Sequence, residues 1–412
     1  MSESTIRLAI LVVTYVLIAV QQFPGVRLNR PAASLLGAVA MVTIGGLEMG
    51  SAYAAIDLDV IVFLLGVLLL TGYLELGGFF EWAAERVLER TRSPRGLLAA
   101  IVGLGGLLSA LFINDTICLV LTPLVVVMLR PLGVNPLPYL LAIALASNVG
   151  SAMTLTGNPQ NMLIGVSSGI GYARFTAMLA LPSLGGLVIV YAVLGFAFRR
   201  ELAIPFPRRV DMPAIEFDPG LVGKALLVFV GALVGWLAGG PLPLIAIVAG
   251  AVMIAIGGRD PSEAFAKVEW SLLLFFAALF VVMQGVRELP LVISLTSAAA
   301  TNVTGDPWRD ATVISGAMLA LSNLVSNVPA VVLWLPVVPG LPNAEMAWLV
   351  MAMSSTFAGN LTLVGSMANL IVAERAKARG VTMRFRDYLA VGVPITILTL
   401  LWGLVTLVLL GR

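Results

Sequence analysis

The chain has 412 residues, 59% hydrophobic and 11% charged, with a formal net charge of +2 and a mean hydropathy of +1.03. A soluble domain carries about 25% charged residues, so this is the composition of a polytopic membrane protein. One cysteine, Cys118, and no histidine exclude disulfides, Cys/His metal centres, Ser-His-Asp triads and HExxH chemistry; no cofactor, metal or nucleic-acid partner is implied.

At about 20 apolar residues per crossing, ten spans are predicted, near 5–22, 31–48, 58–77, 136–168, 175–198, 221–239, 241–257, 270–286, 344–373 and 388–410. The first follows the acidic start MSESTIR and lacks a small-residue cleavage pattern, so it reads as a retained span. Two further apolar regions, 96–130 and 311–340, have polar centres (Asn114 and Asp115; Ser326 and Asn327) and read as re-entrant hairpins.

With the N-terminus outside, the layout puts 19 of the 24 Lys and Arg in inner loops, Arg27, Arg30, Arg92, Arg208, Arg209, Arg259, Lys267 and Lys377 among them. Only Arg7, Arg174, Arg287, Arg309 and Arg412 remain outside, the asymmetry of the positive-inside rule. The basic runs read as ordinary topogenic loops.

The two halves share sequence. Shifted by 213, SALFINDTICLVLTP (109–123) overlies SNLVSNVPAVVLWLP (322–336), matching Ser109 with Ser322, Asn114 with Asn327 and Pro123 with Pro336. Shifted by 208, ASNVGSAMTLTGNPQNMLIG (146–165) overlies SSTFAGNLTLVGSMANLIVA (354–373), matching Thr154 with Thr362, Gly157 with Gly365 and Asn161 with Asn369. The expected fold is therefore an all-α membrane protein of two repeats, 1–198 and 221–412, joined by a basic, Pro-rich linker at 199–220. Each repeat has five spans and a hairpin. An odd number of spans inverts one copy relative to the other, the plan of many secondary transporters.

Non-helical backbone at membrane depth survives only where protein or trapped water satisfies it. TLTGNPQN (154–161) breaks its span at Gly157 and restarts it with Asn158 as N-cap and Pro159 at the first helical position. TLVGSMAN (362–369) does the same with Gly365 and Ser366, and Asn114 and Asn327 suit caps at the hairpin tips. Four helix N-termini, each carrying roughly half a positive charge and free N–H donors, then converge on a site for an anion or an oxygen-rich solute. No basic residue is expected in the core. The candidate substrate ligands are Asn114, Thr116, Thr156, Gly157, Asn158, Asn161, Ser326, Asn327, Thr362, Gly365, Ser366 and Asn369. Taken singly, such residues read equally well as interhelical glue; it is their recurrence in four related clusters that argues for a site.

Asp115 is the only Asp or Glu well inside an apolar span, which rules out an intramembrane aspartyl protease and marks a proton or cation site. Its counterpart in the second half is Val328, so the asparagine belongs to the repeat and the aspartate to something else. A structural carboxylate bonded to a neighbouring cap is the alternative. Glu75 and its counterpart Glu288 lie near an interface and read as snorkelling or structural groups.

At these residues the chain resembles the ion transporter superfamily, which includes arsenite efflux permeases, silicic-acid efflux transporters and divalent anion/sodium symporters. GGFFEWAAERV and ALFINDTICLVLTP are similar to segments of the arsenite permeases, and ASNVGSAMTLTGNPQNMLIGVSSGI to the silicic-acid efflux proteins. The divalent anion symporters carry Ser-Asn-Thr at each tip; here the tips read Ile113-Asn114-Asp115 and Ser326-Asn327-Val328, a departure that argues against sodium-coupled dicarboxylate transport. The resemblance implies a scaffold, a moving transport domain, elevator-like alternating access and homodimers, in a multi-pass protein of the inner (plasma) membrane. The expected function is export of arsenite or a similar small metalloid oxyanion or hydroxide in exchange for protons through Asp115. The alternative is sodium- or proton-coupled symport of dicarboxylate, citrate or sulfate. A channel is disfavoured by the broken-helix repeats, and an enzyme by the missing nucleophile–base pairs.

Overall fold

The computed structural model describes residues 2–20, 22–23, 26–91, 93–130, 133–205, 216–287 and 289–411. Arg92, Arg208, Arg209, Glu288 and Arg412, placed by sequence above, lie outside the described residues, as does 206–215 of the linker.

Among the described residues ten α-helices precede the linker: α1 (Glu3–Val20), α2 (Arg30–Thr43), α3 (Met49–Ala54), α4 (Leu58–Leu76), α5 (Phe79–Glu89), α6 (Pro94–Leu111), α7 (Asn114–Leu129), α8 (Leu137–Ser151), α9 (Pro159–Ser168) and α10 (Tyr172–Ala197). Ten follow it: α11 (Pro219–Leu237), α12 (Leu242–Ile256), α13 (Pro261–Lys267), α14 (Trp270–Val286), α15 (Pro290–Ala300), α16 (Pro307–Val325), α17 (Asn327–Trp334), α18 (Ala344–Ala358), α19 (Met367–Lys377) and α20 (Phe385–Leu410). Apart from α7, with 16 residues, and α17, with 8, the two series run in the same order of long and short elements; α10 and α20 both have 26 residues. Local chemistry repeats as well. Ser93 caps α6 and Asp306 caps α16, each through its side chain and each followed by a proline, which suits the first helical position because it has no N–H to satisfy.

Among the described residues five helices are both long and apolar enough to cross a bilayer: α4, α6, α10, α11 and α20. α13 and α14, bent by 55°, make a sixth if counted as one span. Other predicted spans are subdivided. The 136–168 span is α8 plus α9, and 344–373 is α18 plus α19, both broken as the glycines imply. The 31–48 span stops at Thr43, because Gly46 turns the chain at φ 70° before the short α3. The 96–130 hairpin is α6 and α7 around Phe112–Ile113, whereas the 311–340 hairpin is lopsided, with the long α16, Ser326 alone at the tip, and an eight-residue α17. α5 and α15 are helices that no predicted span included.

Packing interlaces the halves. α4 lies against α12 and α14 against α2, so each half supplies one helix of each pair. α6 packs on α8, α16 on α18, and α10 on α20, in a second group that meets the first through α9 on α4 and α17 on α14. Small residues set these approaches. A Cβ on Gly66 of α4 would lie 2.3 Å from the Ala246 carbonyl carbon of α12, and one on Gly150 of α8 would lie 2.1 Å from the Gly106 oxygen of α6. Outward-facing Val188, Leu227, Val234 and Leu401 are exposed, a surface suited to lipid.

The loop contacts agree with the charge layout. Arg7 Nε donates to the Gly45 carbonyl at 2.7 Å, Arg174 pairs with Glu345 at 2.8 Å, Lys267 with Glu75 at 2.8 Å, and Arg259 with Asp218 at 3.0 Å. Arg130 Nη1 donates to the Arg379 carbonyl at 2.9 Å. Each contact joins residues that the sequence layout puts on one side.

Candidate functional site

The site is built where α8 and α18 end in the apolar interior, leaving carbonyls without helical partners. Asn161, in the first turn of α9, donates through Nδ2 to the carbonyls of Ser151 and Thr154 at 3.2 and 2.9 Å. Asn369, in the first turn of α19, donates to Gly359 and Thr362 at 2.8 and 3.2 Å. These are the same two bonds under the 208 shift. Asparagine thus closes both breaks by bracketing the loose carbonyls of its own half.

Further bonds cross between halves. Asn158 Nδ2 donates to Thr356 Oγ1 at 3.3 Å, and Ser366 Oγ donates to Asn148 Oδ1 at 3.0 Å; the shift maps one pair onto the other. Gln160 Nε2 also reaches Thr356, at 3.2 Å.

Asn148, in the last turn of α8, is the hub. Its Oδ1 accepts from Asn114 Nδ2 and Ser366 Oγ, both at 3.0 Å, while its Nδ2 donates to Asn360 Oδ1 at 2.8 Å and Asn369 Oδ1 at 3.1 Å. All four hydrogen-bonding positions of the amide are filled. The backbone N–H of Asn114 donates to the Gly157 carbonyl at 3.0 Å, joining the first hairpin tip to the first break. At the second tip, Asn327 lies against Gly359, where a Cβ would meet its Nδ2 at 3.0 Å. The N-termini of α7, α9, α17 and α19 thus meet in one polar cluster.

Several assignments change. Asn158 is a side-chain N-cap, its Oδ1 accepting from Asn161 N at 2.9 Å, as expected. Asn114 and Asn327 are not caps: they are the first helical residues, behind Ile113 and Ser326, and neither N-cap residue makes a side-chain capping bond. Asn114 points sideways to Asn148 instead. Ser366 holds the N-cap position of α19 without capping it, because its hydroxyl is committed to Asn148. Thr156 turns away to the Tyr172 hydroxyl at 2.9 Å, and Thr154 donates to the Ala110 carbonyl. Thr362 bonds to Asn323 Oδ1 at 3.3 Å. Gly157 and Gly365 are needed for space: a Cβ would lie 2.2 Å from the Ser151 oxygen in the first case and 2.9 Å from Asn323 Oδ1 in the second. Thr116 is buried one residue beyond Asp115.

Asp115 is 8% exposed in the first turn of α7, and among the described residues no side chain or backbone group donates a hydrogen bond to its carboxylate. Asp310 is also buried, but its two oxygens accept from Thr304 N and Gly305 N at 2.7 and 2.8 Å, a structural use. The main correction concerns Arg30. Expected in an inner loop, it is the first residue of α2, only 7% exposed, with Nη1 donating to Ser326 Oγ at 3.4 Å. The core therefore does hold a basic residue. The short α2 brings its N-terminus inward to the second tip, which the hydropathy of 31–48 could not show.

Sequence reasoning also missed Asn148, Asn323, Thr356 and Asn360. The signal was present: each is an amide or hydroxyl in an otherwise apolar stretch beside a break, and three of the four lie in the segments matched by the 208 shift.

A predominantly helical chain whose broken helices and hairpin tips bury a shared polar cluster has the architecture of a multi-pass membrane transporter. The chain belongs to the citrate transporter family, whose model matches residues 15–358. It is 30% identical to the silicon efflux transporter LSI3 of Oryza sativa subsp. japonica, over 92% of this chain and 93% of that one. It is also 30% identical to the inner membrane protein YbiR of Escherichia coli, over 87% and 89%. The Alcanivorax borkumensis YdaH transporter has the same general fold, with a TM-score of 0.59 at 16% identity over 99% of this chain and 97% of that one.

Proposed function

We propose that this transporter exports arsenite or a similar small metalloid oxyanion or hydroxide in exchange for protons, with Asp115 as the proton carrier. The observation that carries the reading is the Asp115 carboxylate itself, buried beside Asn114 and unbonded among the described residues. A carboxylate left free at depth is suited to alternate between a proton and a hydroxyl of the substrate. The likeness to a silicon efflux transporter supports a small hydroxylated solute. The two halves act as inverted repeats. The cluster of α7, α9, α17 and α19 travels as a unit against the α2–α14 and α4–α12 pairs, in homodimers of the inner membrane. Expression in a metalloid-sensitive host tests this: arsenite or antimonite tolerance rises and intracellular metalloid falls.

A second reading, proton- or sodium-coupled symport of an organic or inorganic anion, is favoured by Arg30, which adds positive charge to the roughly +2 supplied by four helix ends. The family's citrate transporter description agrees with it. Everted vesicles that accumulate citrate, succinate or sulfate on an imposed cation gradient, with unchanged metalloid tolerance, would replace the first reading with the second.

A further inference from the structure

Among the described residues, two groups at the second hairpin tip have no partner. Nε of Arg30 and Oδ1 of Asn327 are both sealed from water, and neither makes a hydrogen bond. A guanidinium has five N–H donors, yet among the described residues the one hydrogen bond from the Arg30 side chain is the 3.4 Å contact with Ser326. Among the described residues no carboxylate lies within ion-pair distance of it; Asp115 and Glu374 act on it only as more distant charges. A charge buried this way is destabilising unless something neutralises it. Ser326 points to the same place. It is the one non-glycine residue with positive φ among the described residues, at φ 80° and ψ 161°, a conformation that is costly for a residue with a side chain. That conformation presents its hydroxyl to Arg30 instead of to the open end of α17.

The unmet pair is one donor bearing a full charge, on the first residue of α2, and one neutral acceptor, on the residue after the Ser326 that Arg30 touches. We propose that Arg30 is a substrate-binding residue, and that the substrate is taken as a singly charged, still hydroxylated oxyanion. Its O⁻ binds the Arg30 guanidinium with Ser326, and its O–H donates to Asn327 Oδ1. The N–H groups opening α17 add to the pull on the anion. A neutral hydroxide would leave the guanidinium unpaired, and an anion without a hydroxyl would leave Asn327 unpaired. The inference rests on reading this cluster as the transport site, and holds for either direction of transport.

The test uses the purified full-length protein in lipid nanodiscs, with four probes at neutral pH measured by calorimetry: hydrogen selenite and dihydrogen phosphate, which carry both features, nitrate, which has only charge, and arsenous acid, which has only hydroxyls. Wild-type protein binds one of the first two more tightly than the last two. Arg30→Gln lowers that affinity by about tenfold or more, the loss of a charge-assisted hydrogen bond, while affinity for arsenous acid stays within about twofold. Arg30→Lys, which keeps the charge but loses the fork, falls between. Equal loss for charged and neutral probes would mean a structural role and overturn the proposal, as would an unchanged profile. If Asn114→Ala weakens binding while Arg30→Gln does not, the transport-site reading stands and the Arg30 assignment alone is wrong.

Discussion

Asn148 Nδ2 donates to Asn360 Oδ1 at 2.8 Å, across 212 residues of sequence, and so ties the end of α8 to the end of α18. Replacing Asn148 by Ala takes a partner at once from Asn360 Oδ1, Asn369 Oδ1, Asn114 Nδ2 and Ser366 Oγ. At about 1–3 kcal/mol for each buried polar group left unmet, Asn148→Ala is expected to lower the melting temperature in detergent more than Gln160→Ala, which removes a single bond to Thr356.

Asp115→Asn keeps the shape of the side chain and removes its titration. Gradient-driven transport should be lost, while the melting temperature and substrate counterflow stay close to wild type. Wild-type pH-dependent transport by this variant in proteoliposomes would end the proton-carrier assignment.

Asn114→Ala does not uncap α7, because Asn114 is not a cap. It deletes the 3.0 Å bond to Asn148 and a candidate ligand at once. Substrate affinity should fall, with a stability loss of about 0.5–1.5 kcal/mol for one net hydrogen bond, read from chemical denaturation.

Two glycines make a contrasting pair. Gly157→Ala puts a Cβ 2.2 Å from the Ser151 oxygen and 2.8 Å from the Ser109 oxygen, atoms fixed by backbone, so folded yield should collapse. Gly103 in α6 has open space around it, and Gly103→Ala should be neutral or stabilising by up to about 1 kcal/mol. Size-exclusion profiles of the two variants decide the matter.

Topology and motion are open to labelling in a Cys118→Ser background, since Cys118 is the sole cysteine and is buried. Cysteines at Arg259 and Lys377 should react only from inside, and those at Asp57, Asp306 and Asn343 only from outside. Cysteines at Thr116 and Val328, beside the hairpin tips, should change reactivity when substrate is added. A mixed pattern at the first five positions would break the ten-span layout.

Some of this was legible in the sequence and some was not, for physical reasons. The breaks at Gly157 and Gly365 and the cap at Asn158 follow from backbone chemistry, which acts over a few residues. The membership of the polar cluster was legible as a set, because polar residues in apolar runs are conspicuous. Their partners were not, since Asn114 chooses between capping its own helix and reaching Asn148 according to where α8 lies. Arg30 shows the same limit: charge counting assigned it to a loop, and only the packing of α2 on α14 carries it to Ser326. α5 and α15 leave no such mark, because a membrane crossing shows as a run of about 20 apolar residues and each of these helices has only 11.

The interlacing of the halves has a consequence for how the protein is made. When α8 leaves the translocon, the acceptors for its Asn148 amide, Asn360 and Asn369, are 212 and 221 residues from synthesis, and the α4 groove at Gly66 still awaits α12. The early helices therefore stay in the bilayer with a polar hub unanswered and a packing face bare until nearly the whole chain has been translated. Assembly is then completed late within the membrane: a chain stopped at the linker keeps the packing of α6 on α8 but lacks α12 for α4, α14 for α2 and α20 for α10 unless the missing half is supplied alongside it.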